Sequence, residues 1–241
     1  MSISLTSTDS ADLQAEPSGH DYRLSNDQFQ RTIEAGIIPA ADGVELVDGF
    51  LVQDGSPYRL TLQQYRAMAE AWILTTDDRI ELLEGWLIAK MSKDRPHVIS
   101  ANRTFYLIMG LIPAGWYVAK EDPVQGTDSE PEPDVSIVRG SFDDYQNRTP
   151  GPGDVALLIE VADTSLFRDR RMKKRLYARA GFSIYWLINL VNNRIEVFTD
   201  PSGPTEEPDY RHRQDFGPDE MIPLVIEGRE VGQLTVRDLL P

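Results

Sequence analysis

Two acidic residues stand next to or inside strongly apolar runs, where carboxylates are costly to bury. Asp134 opens the run 134–138, and Glu160 lies inside the run 155–162, which is apolar on both sides of it. A run without alternation is typical of a strand that is buried on both faces, so a lone Glu needs a paired charge or a bound cation. Two carboxylates that converge at strand ends could hold Mg²⁺ for the hydrolysis of a phosphodiester.

The segment 168–181 predicts a helix with a dense positive charge. At about 100° per residue, three apolar side chains fall within one arc of about 80° that should face a sheet. Lys173 lies at the edge of this arc and Lys174 points towards solvent. The three apolar residues are Met172, Leu176 and Ala180.

A lysine on the buried side of a helix needs a negative partner, and Glu160 with Asp134 could supply it. The alternatives are a structural ion pair, or a lysine whose stem merely passes the edge of the sheet. The coincidence of all three residues favours a site, so we expect Asp134, Glu160 and Lys173 to converge at one edge of the sheet.

Composition limits the class of protein. The 241 residues are 41% hydrophobic, enough for one substantial core, and no window has the eighteen or more apolar residues of a membrane helix. The absence of cysteine excludes disulfides and thiolate zinc sites. Residues 1–21 are rich in Ser, Thr and Asp without the features of a signal peptide, so we expect a flexible tail and a cytoplasmic protein.

The formal net charge of −15 opposes a nucleic-acid substrate, because phosphate binding depends on clustered Lys and Arg. The charge is uneven, however: residues 168–179 contain seven basic side chains and one acidic one. The sequence leaves open whether this basic stretch contacts phosphate or is a solvated helix face.

Residues 22–52 and 58–88 are two copies of one unit at a constant offset of 36. Each copy predicts an N-cap Ser or Thr, a helix, and a β-hairpin that turns at Asp48-Gly49 or Glu84-Gly85. Two copies are too few for a solenoid, so this is a local duplication. We expect only the second copy to border the site, with Glu45, the counterpart of Glu81, as a bystander.

The rest of the chain predicts an α/β protein with a mixed central sheet flanked by helices. A helix is expected over 96–109. Beyond it, a loop is expected over 200–209, followed by one last apolar strand and a short C-terminal segment. The expected organisation is a tail (1–21), a first repeat (22–57), a core that includes the second repeat (58–199) and a C-terminal extension (200–241). The predicted strands are 116–118, 134–138, 155–161, 184–190, 195–199 and 222–226.

The order of several short motifs resembles the Uma family, which belongs to the PD-(D/E)xK nuclease-like superfamily. The resemblance covers about residues 58–199, and it implies the restriction-endonuclease-like α/β core. The motifs are Glu81-Leu-Leu-Glu-Gly, His97, Glu132-Pro-Asp134, Ile159-Glu-Val-Ala-Asp163, Asp169 to Lys173, Tyr177-Ala-Arg-Ala-Gly181 and Tyr185-Trp186.

The resemblance implies roles for individual residues. Asp134 corresponds to the aspartate of the PD motif and Glu160 to the second metal-binding carboxylate. The superfamily usually has its lysine two residues after that Glu, where this chain has Ala162. In the Uma branch a lysine on the following helix takes over, which is Lys173. Glu81 matches an acidic residue of the hairpin, although strand alternation alone would point it outward.

These assignments predict a Mg²⁺-dependent endonuclease that acts on nucleic acid, with DNA as the first candidate and Mn²⁺ as a substitute ion. His97 is a candidate helper near a helix N-terminus, where the alternative is a capping or packing role. No membrane partner is expected, and a homodimer is possible. One rival is a catalytically inactive nuclease-fold module for binding or assembly. Another is a metal-dependent hydrolase of a small phosphorylated substrate, which would need a closed pocket.

Overall fold

The structure is a computed structural model that describes residues 21–241. The tail predicted over residues 1–21 lies outside the described residues except for Asp21, which forms a single β-bridge with Ile88. Within the described range, no helix is long and apolar enough to cross a membrane.

The two copies of the repeat have the same order of elements. The first contains helix α1 (Asn26–Glu34) and the hairpin strands β1 (Val44–Val47) and β2 (Phe50–Gln53), and a further short strand, β3 (Ser56–Pro57), follows it. The second contains helix α2 (Leu62–Glu70) and the hairpin strands β4 (Ile80–Leu83) and β5 (Trp86–Ala89). Ser25 and Thr61 cap the two helices, each through a capping box closed by the Gln three residues later.

The two copies pack against each other through reciprocal contacts. The Gln28 amide donates to the backbone carbonyl of Ile73 (3.1 Å), and the Gln64 amide donates to that of Ile37 (3.2 Å). The two donors are 36 residues apart, and so are the two acceptors. Each copy therefore makes the same contact to the other, as in a pseudo-twofold arrangement. The copies share one hydrophobic core that includes Met68.

The remainder of the chain forms the central layer and its covers. Its elements are α3 (Arg95–Met109), β6 (Trp116–Ala119), β7 (Val135–Arg139), β8 (Val155–Ala162), α4 (Leu166–Arg168), a π-helical turn (Asp169–Lys173), α5 (Lys174–Ala180), β9 (Ile184–Asn189), β10 (Arg194–Pro201), β11 (Tyr210–Phe216), β12 (Met221–Ile226), β13 (Arg229–Thr235) and α6 (Val236–Leu239).

Six strands form a mixed central sheet in the order β11-β10-β9-β8-β7-β6. Only β8 and β9 are parallel, and the helical segment 166–180 connects them. Every residue of β8 is buried because both faces of the sheet are covered. On one face α3, α6 and the β12–β13 hairpin pack on the sheet; on the other, α5 and the β4–β5 hairpin do so. The mixed sheet flanked by helices agrees with the predicted fold class.

Three strands, β3, β11 and β13, and the short helix α6 were not foreseen in the sequence. Strand β11 has an intervening segment of five polar residues, all exposed, which hides its strand character from a hydrophobic pattern. Strand β13 contains Gly232 and has only one buried residue, Leu234. Strand β12 pairs with β13, and β11 forms one edge of the central sheet.

The hairpin turn of the second copy generates a test of stability. Gly85 has φ +80°, and a Cβ built on it would lie 2.8 Å from Cβ of Arg59 and 3.0 Å from the carbonyl oxygen of Leu60. We expect Gly85→Ala to lower the free energy of unfolding by about 2–5 kcal/mol, from the left-handed backbone and overpacking together. Gly43 has a similar φ of +65° with no atom near its added Cβ, so Gly43→Ala should cost only about 1–2 kcal/mol. Urea unfolding of both variants measures the difference, and equal losses would contradict the packing account.

Candidate active site

Strand register brings the first two carboxylates together. In the antiparallel pair of β7 and β8, Val135 lies opposite Ile159. Asp134, one residue before Val135, therefore comes level with Glu160, one residue beyond Ile159. Both carboxylates are buried, and the backbone N–H of Val161 donates to Oδ2 of Asp134 (2.8 Å).

Glu160 points towards the helical segment, where two donors meet it. Lys173 Nζ donates to Oε1 of Glu160 (2.8 Å), and Tyr177 Oη donates to the same oxygen (2.7 Å). Lys173 is only 4% exposed, and its ammonium also lies 3.4 Å from Oε2 of Glu81. The buried lysine is therefore held between two buried carboxylates.

Asp134 is held by a lysine and a histidine. Lys93 Nζ donates to Oδ1 (2.8 Å), and His97 Nε2 lies 3.1 Å from Oδ2. His97 occupies the first turn of α3, which Asp94 caps by accepting a hydrogen bond from the backbone N–H of His97. This places the imidazole at the site, whereas Lys93 lies in the loop just before the helix.

Glu81 faces the site, so the alternative that strand alternation would point it outward is wrong. All four residues of β4 are buried because the hairpin is covered on both sides. One side packs with the core of the two repeats through Leu82, and the other packs against the central sheet through Leu83. Oε2 of Glu81 accepts a hydrogen bond from the backbone N–H of Glu132 (3.2 Å). Its counterpart Glu45 is exposed in the first copy.

The helical segment has a different phase from the one predicted. Lys173 lies at the centre of the buried face, together with Asp169, Leu176 and Tyr177, whereas Met172 is only partly buried. The π-helical turn ends at Lys173, and such turns often occur at functional sites. Lys174 does not enter the site, but it is not free in solvent either, because it pairs with Asp209 (2.8 Å).

Three residues of the site were not identified from the sequence. Lys93 lies in a short loop without periodicity, so its sequence context gives no signal. Tyr177 and Asp169 lie in the quoted motifs but were given no role. Asp169 is buried; its Oδ2 accepts a hydrogen bond from Ser165, while its Oδ1 has no hydrogen-bond partner within residues 21–241. Because the turn places Asp169 four residues before Lys173, both side chains reach the same space.

These groups line a cleft of about 550 Å³. Its walls carry eight carboxylates against five Lys and Arg side chains, so the cleft is acidic. We call it the acidic cleft; its charged lining residues are Arg79, Glu81, Lys90, Lys93, Asp94, His97, Glu121, Glu132, Asp134, Glu160, Asp163, Arg168, Asp169 and Lys173.

The pKa values of the two central carboxyl groups are shifted in opposite directions. Burial raises the pKa of Glu160 to about 8; Lys173 opposes the shift, and the charges of Asp134, Asp169 and Glu81 add to it. Burial acts in the same direction on Asp134, but the hydrogen bonds and charges of His97 and Lys93 hold its pKa well below the ordinary value.

Two cationic side chains of the cleft, Lys173 and His97, have raised pKa values. Burial acts against the charge of Lys173, but Glu160, Glu81 and Asp169 outweigh it and raise the pKa of Lys173 well above its ordinary value. The same balance applies to His97, whose pKa is raised because Asp134 outweighs the effect of burial. Lys173 is therefore a charged donor at neutral pH, not a base.

The donor set of the cleft suits a hard divalent cation. Carboxylate oxygens are the ligands that Mg²⁺ prefers, and this ion is usually held by one or two carboxylates with water and substrate phosphate rather than by a protein cage. Within residues 21–241, no group of three or more His, Asp or Glu side chains is arranged to hold a metal ion. Asp134 and Glu160 fit such an open site, although an ion at Oδ1 of Asp134 would compete with Lys93.

Comparison with known proteins identifies the family of the chain and a protein of similar fold. A family model, Uma2, described as "Putative restriction endonuclease", matches residues 62–237. A solved structure, a "putative nuclease belonging to DUF820" from Anabaena variabilis ATCC 29413, aligns with a TM-score of 0.56 at 18% identity. The alignment covers 75% of this chain and 97% of that one, and it shows a shared fold. A search of curated proteins found no match.

The titration of the cleft predicts how stability depends on pH. The folded protein holds a proton on Glu160 that the unfolded chain, with an ordinary pKa of 4.5, releases. In the presence of a chelator, the free energy of unfolding should fall as pH rises from about 4.5 through about 8. His97, whose folded pKa is also raised, adds to the fall above its ordinary value of 6.5.

Chemical denaturation between pH 5 and 9 measures this dependence. In Glu160→Gln the fall should become shallower because one of the two titrating groups is removed. Glu45→Gln changes the exposed counterpart in the first repeat and should keep the wild-type profile. A wild-type stability that rises across this interval would contradict the assignment.

Proposed function

Because the chain belongs to the Uma2 family, described as "Putative restriction endonuclease", we propose that it is a metal-dependent endonuclease that hydrolyses phosphodiester bonds at the acidic cleft. The observation that supports this most is that Lys173 is buried between Glu160 and Glu81. Asp134 lies beside Glu160, at the same level of the neighbouring strand. The acid–lysine combination is what the superfamily pattern requires, although the lysine comes from the helix instead of from β8.

We assign the cation ligands to Asp134 and Glu160. When bound, Mg²⁺ or Mn²⁺ would polarise a phosphoryl oxygen and lower the pKa of a bound water. Tyr177 fixes the carboxylate of Glu160 through its hydroxyl, and the backbone N–H of Val161 fixes that of Asp134. These hydrogen bonds orient the ligands in advance, as is usual for the groups that support a metal site.

Lys173 supplies positive charge where the phosphate becomes more negative. Its raised pKa keeps it as an ammonium, so it donates hydrogen bonds to the attacking water or to a phosphoryl oxygen. Burial strengthens this interaction because water is excluded around the charge. Glu81 keeps the ammonium in place from the side opposite Glu160.

His97 and Lys93 bind the carboxylate of Asp134 and thereby neutralise it in the metal-free protein. Either group is close enough to reach a phosphate that enters the cleft beside Asp134. We propose DNA as the polymer and Mg²⁺ as the ion, with Mn²⁺ as a substitute.

One observation favours the rival of an inactive binding or assembly module. Both carboxylate oxygens of Asp134 already have donors, from Lys93, His97 and the N–H of Val161. A protein that had lost its metal would be stable with this arrangement. The two readings differ in whether a divalent ion binds at Asp134 and Glu160.

The adjacent lysines give a matched test of catalysis. Lys173→Gln should lower metal-dependent cleavage by about 10²-fold or more, because it removes a charge aimed at the transition state. Lys174→Gln changes a lysine that pairs with Asp209 outside the cleft and should leave turnover within about threefold. Digestion of single- and double-stranded DNA and RNA with Mg²⁺ or Mn²⁺ gives the readout, and circular dichroism verifies that both variants fold. Equal loss of turnover in both variants would contradict the role of Lys173.

Metal binding can be tested without any substrate. Millimolar Mn²⁺ should raise the melting temperature by mass action, and more at pH 8 than at pH 5, where the proton on Glu160 competes with the ion. The shift should be absent in Asp134→Asn/Glu160→Gln. A wild-type protein without a Mn²⁺-dependent shift at pH 8 would favour the inactive module.

A further inference from the structure

The charge of the basic helical segment is almost entirely engaged within the protein. Of the seven basic residues in 168–179, five form ion pairs with carboxylates of other elements. These pairs are Arg170 with Glu196, Lys173 with Glu160 and Glu81, Lys174 with Asp209, Arg175 with Glu84, and Arg179 with Asp128 and Glu84. The segment is therefore not a general surface for phosphates, and only two arginines remain.

The two remaining arginines differ in position. Arg171 is exposed, and its guanidinium stacks over the ring of Phe167 (4.7 Å). Arg168 lines the acidic cleft, and its side chain is 18% exposed. Its Nε and Nη1 are buried and have no hydrogen-bond partner within residues 21–241. A buried guanidinium without partners is costly, so it implies a group that binds there.

The nearest acceptor does not satisfy Arg168. Oδ1 of Asp169 lies 3.8 Å from Nε, which is too far for a hydrogen bond, and this oxygen also lacks a partner. The two groups thus form a long ion pair without a hydrogen bond between them. Arg168 therefore lines the acidic cleft with donors that no protein acceptor satisfies within residues 21–241, and the planar donors of a guanidinium match two oxygens of a phosphate.

We propose that Arg168 binds a phosphate oxygen of the substrate backbone in the acidic cleft. The proposal rests on the proposed nuclease function and names the group that recognises the phosphodiester. Lys90, Lys93 and Lys173 each pair with a carboxylate of the cleft, whereas two donors of Arg168 have no acceptor within the described residues. Arg79 also lines the cleft, is exposed and forms no ion pair within the described residues, so a bound strand would pass from Arg79 to Arg168.

The chemistry of the cleft explains why such a contact is needed. Eight carboxylates in its lining repel a polyanion, and a divalent cation at Asp134 and Glu160 offsets only part of that charge. An arginine that binds two oxygens of one phosphate adds positive charge to the cleft. Its fixed geometry also favours a phosphate over a neutral ligand. The contact does not depend on base identity, so it would position the strand without reading its sequence.

The test compares Arg168→Gln and Arg168→Lys with the matched control Arg171→Gln. Fluorescence anisotropy with a labelled DNA oligonucleotide, in EDTA and in Ca²⁺, measures binding at several salt concentrations. We expect Arg168→Gln to weaken binding about tenfold or more and to reduce the slope of log K against log salt by about 1. Arg168→Lys should recover part of the affinity, and Arg171→Gln should change it less than about threefold.

A structural role for Arg168 predicts a different pattern. In that case Arg168→Gln would lower the melting temperature, and Arg168→Gln/Asp169→Asn would restore both stability and DNA affinity; this outcome would overturn the proposal. Wild-type DNA affinity in Arg168→Gln would also overturn it. Thermal stabilisation by inorganic phosphate provides an independent readout, and it should be lost in Arg168→Gln and kept in Arg171→Gln.

Failure of the proposed function can be told apart from failure of this inference. If the wild type shows no cleavage but binds DNA or phosphate in a manner that depends on Arg168, the outcome contradicts the nuclease function and supports the phosphate contact. If the wild type cleaves DNA and Arg168→Gln cleaves it with the same KM and kcat, the outcome supports the nuclease function and contradicts the phosphate contact.

Discussion

The buried contact between Glu160 and Lys173, a hydrogen bond that becomes an ion pair once Glu160 loses its proton near pH 8, is the interaction on which the surrounding architecture depends. Glu160 occupies the sixth position of an eight-residue strand whose other side chains are all apolar, and it is 3% exposed. Removing a partner from a buried ion pair costs about 3–5 kcal/mol, because the remaining charge is left uncompensated. The helical segment that follows β8 must therefore return a cation to this point of the sheet.

The local structure can be understood from this requirement. The π-helical turn carries Asp169 and Lys173 on the buried face, and Tyr177 one turn later donates to the same carboxylate oxygen as Lys173. From the other side, the β4–β5 hairpin contributes Glu81, and the first turn of α3 contributes His97 to Asp134. Five separate segments, which are the start of β7, β8, the helical segment after it, the β4–β5 hairpin and α3, thus meet around charges that could not be buried singly. A set with more carboxylates than cations stays poised for a further positive group, which is a property of a site more than of a stabilising network.

The sequence predicted those residues of the candidate site whose burial follows from local hydrophobic patterns. The apolar runs around Asp134 and Glu160 identified both strands, since a carboxylate in such a run is rare for a physical reason. The helical wheel selected Lys173 over Lys174, although it placed Lys173 at the edge of the buried face because it assumed a regular α-helix. Lys93 and the orientation of Glu81 depend on how the second hairpin packs, which is a tertiary property without a local signal. Strand β11 was missed for a related reason, because an edge strand with exposed polar side chains has no hydrophobic period.

The duplicated unit shows how the same local sequence acquires different roles from its surroundings. Arg23 and Arg59 lie over the rings of Phe50 and Trp86, and each donates to the carbonyl of the residue before the hairpin glycine, Asp48 or Glu84. The local folds are therefore equivalent.

Yet Val47 is 46% exposed whereas its counterpart Leu83 is fully buried, because only the second hairpin packs on the central sheet. The same packing buries Glu81 and leaves Glu45 in solvent. The two hairpins have equivalent sequences, but only Glu81 is buried by contact with the sheet and pairs with Lys173. The first copy, which is joined to the second by reciprocal hydrogen bonds, supports that hairpin from behind without reaching the cleft.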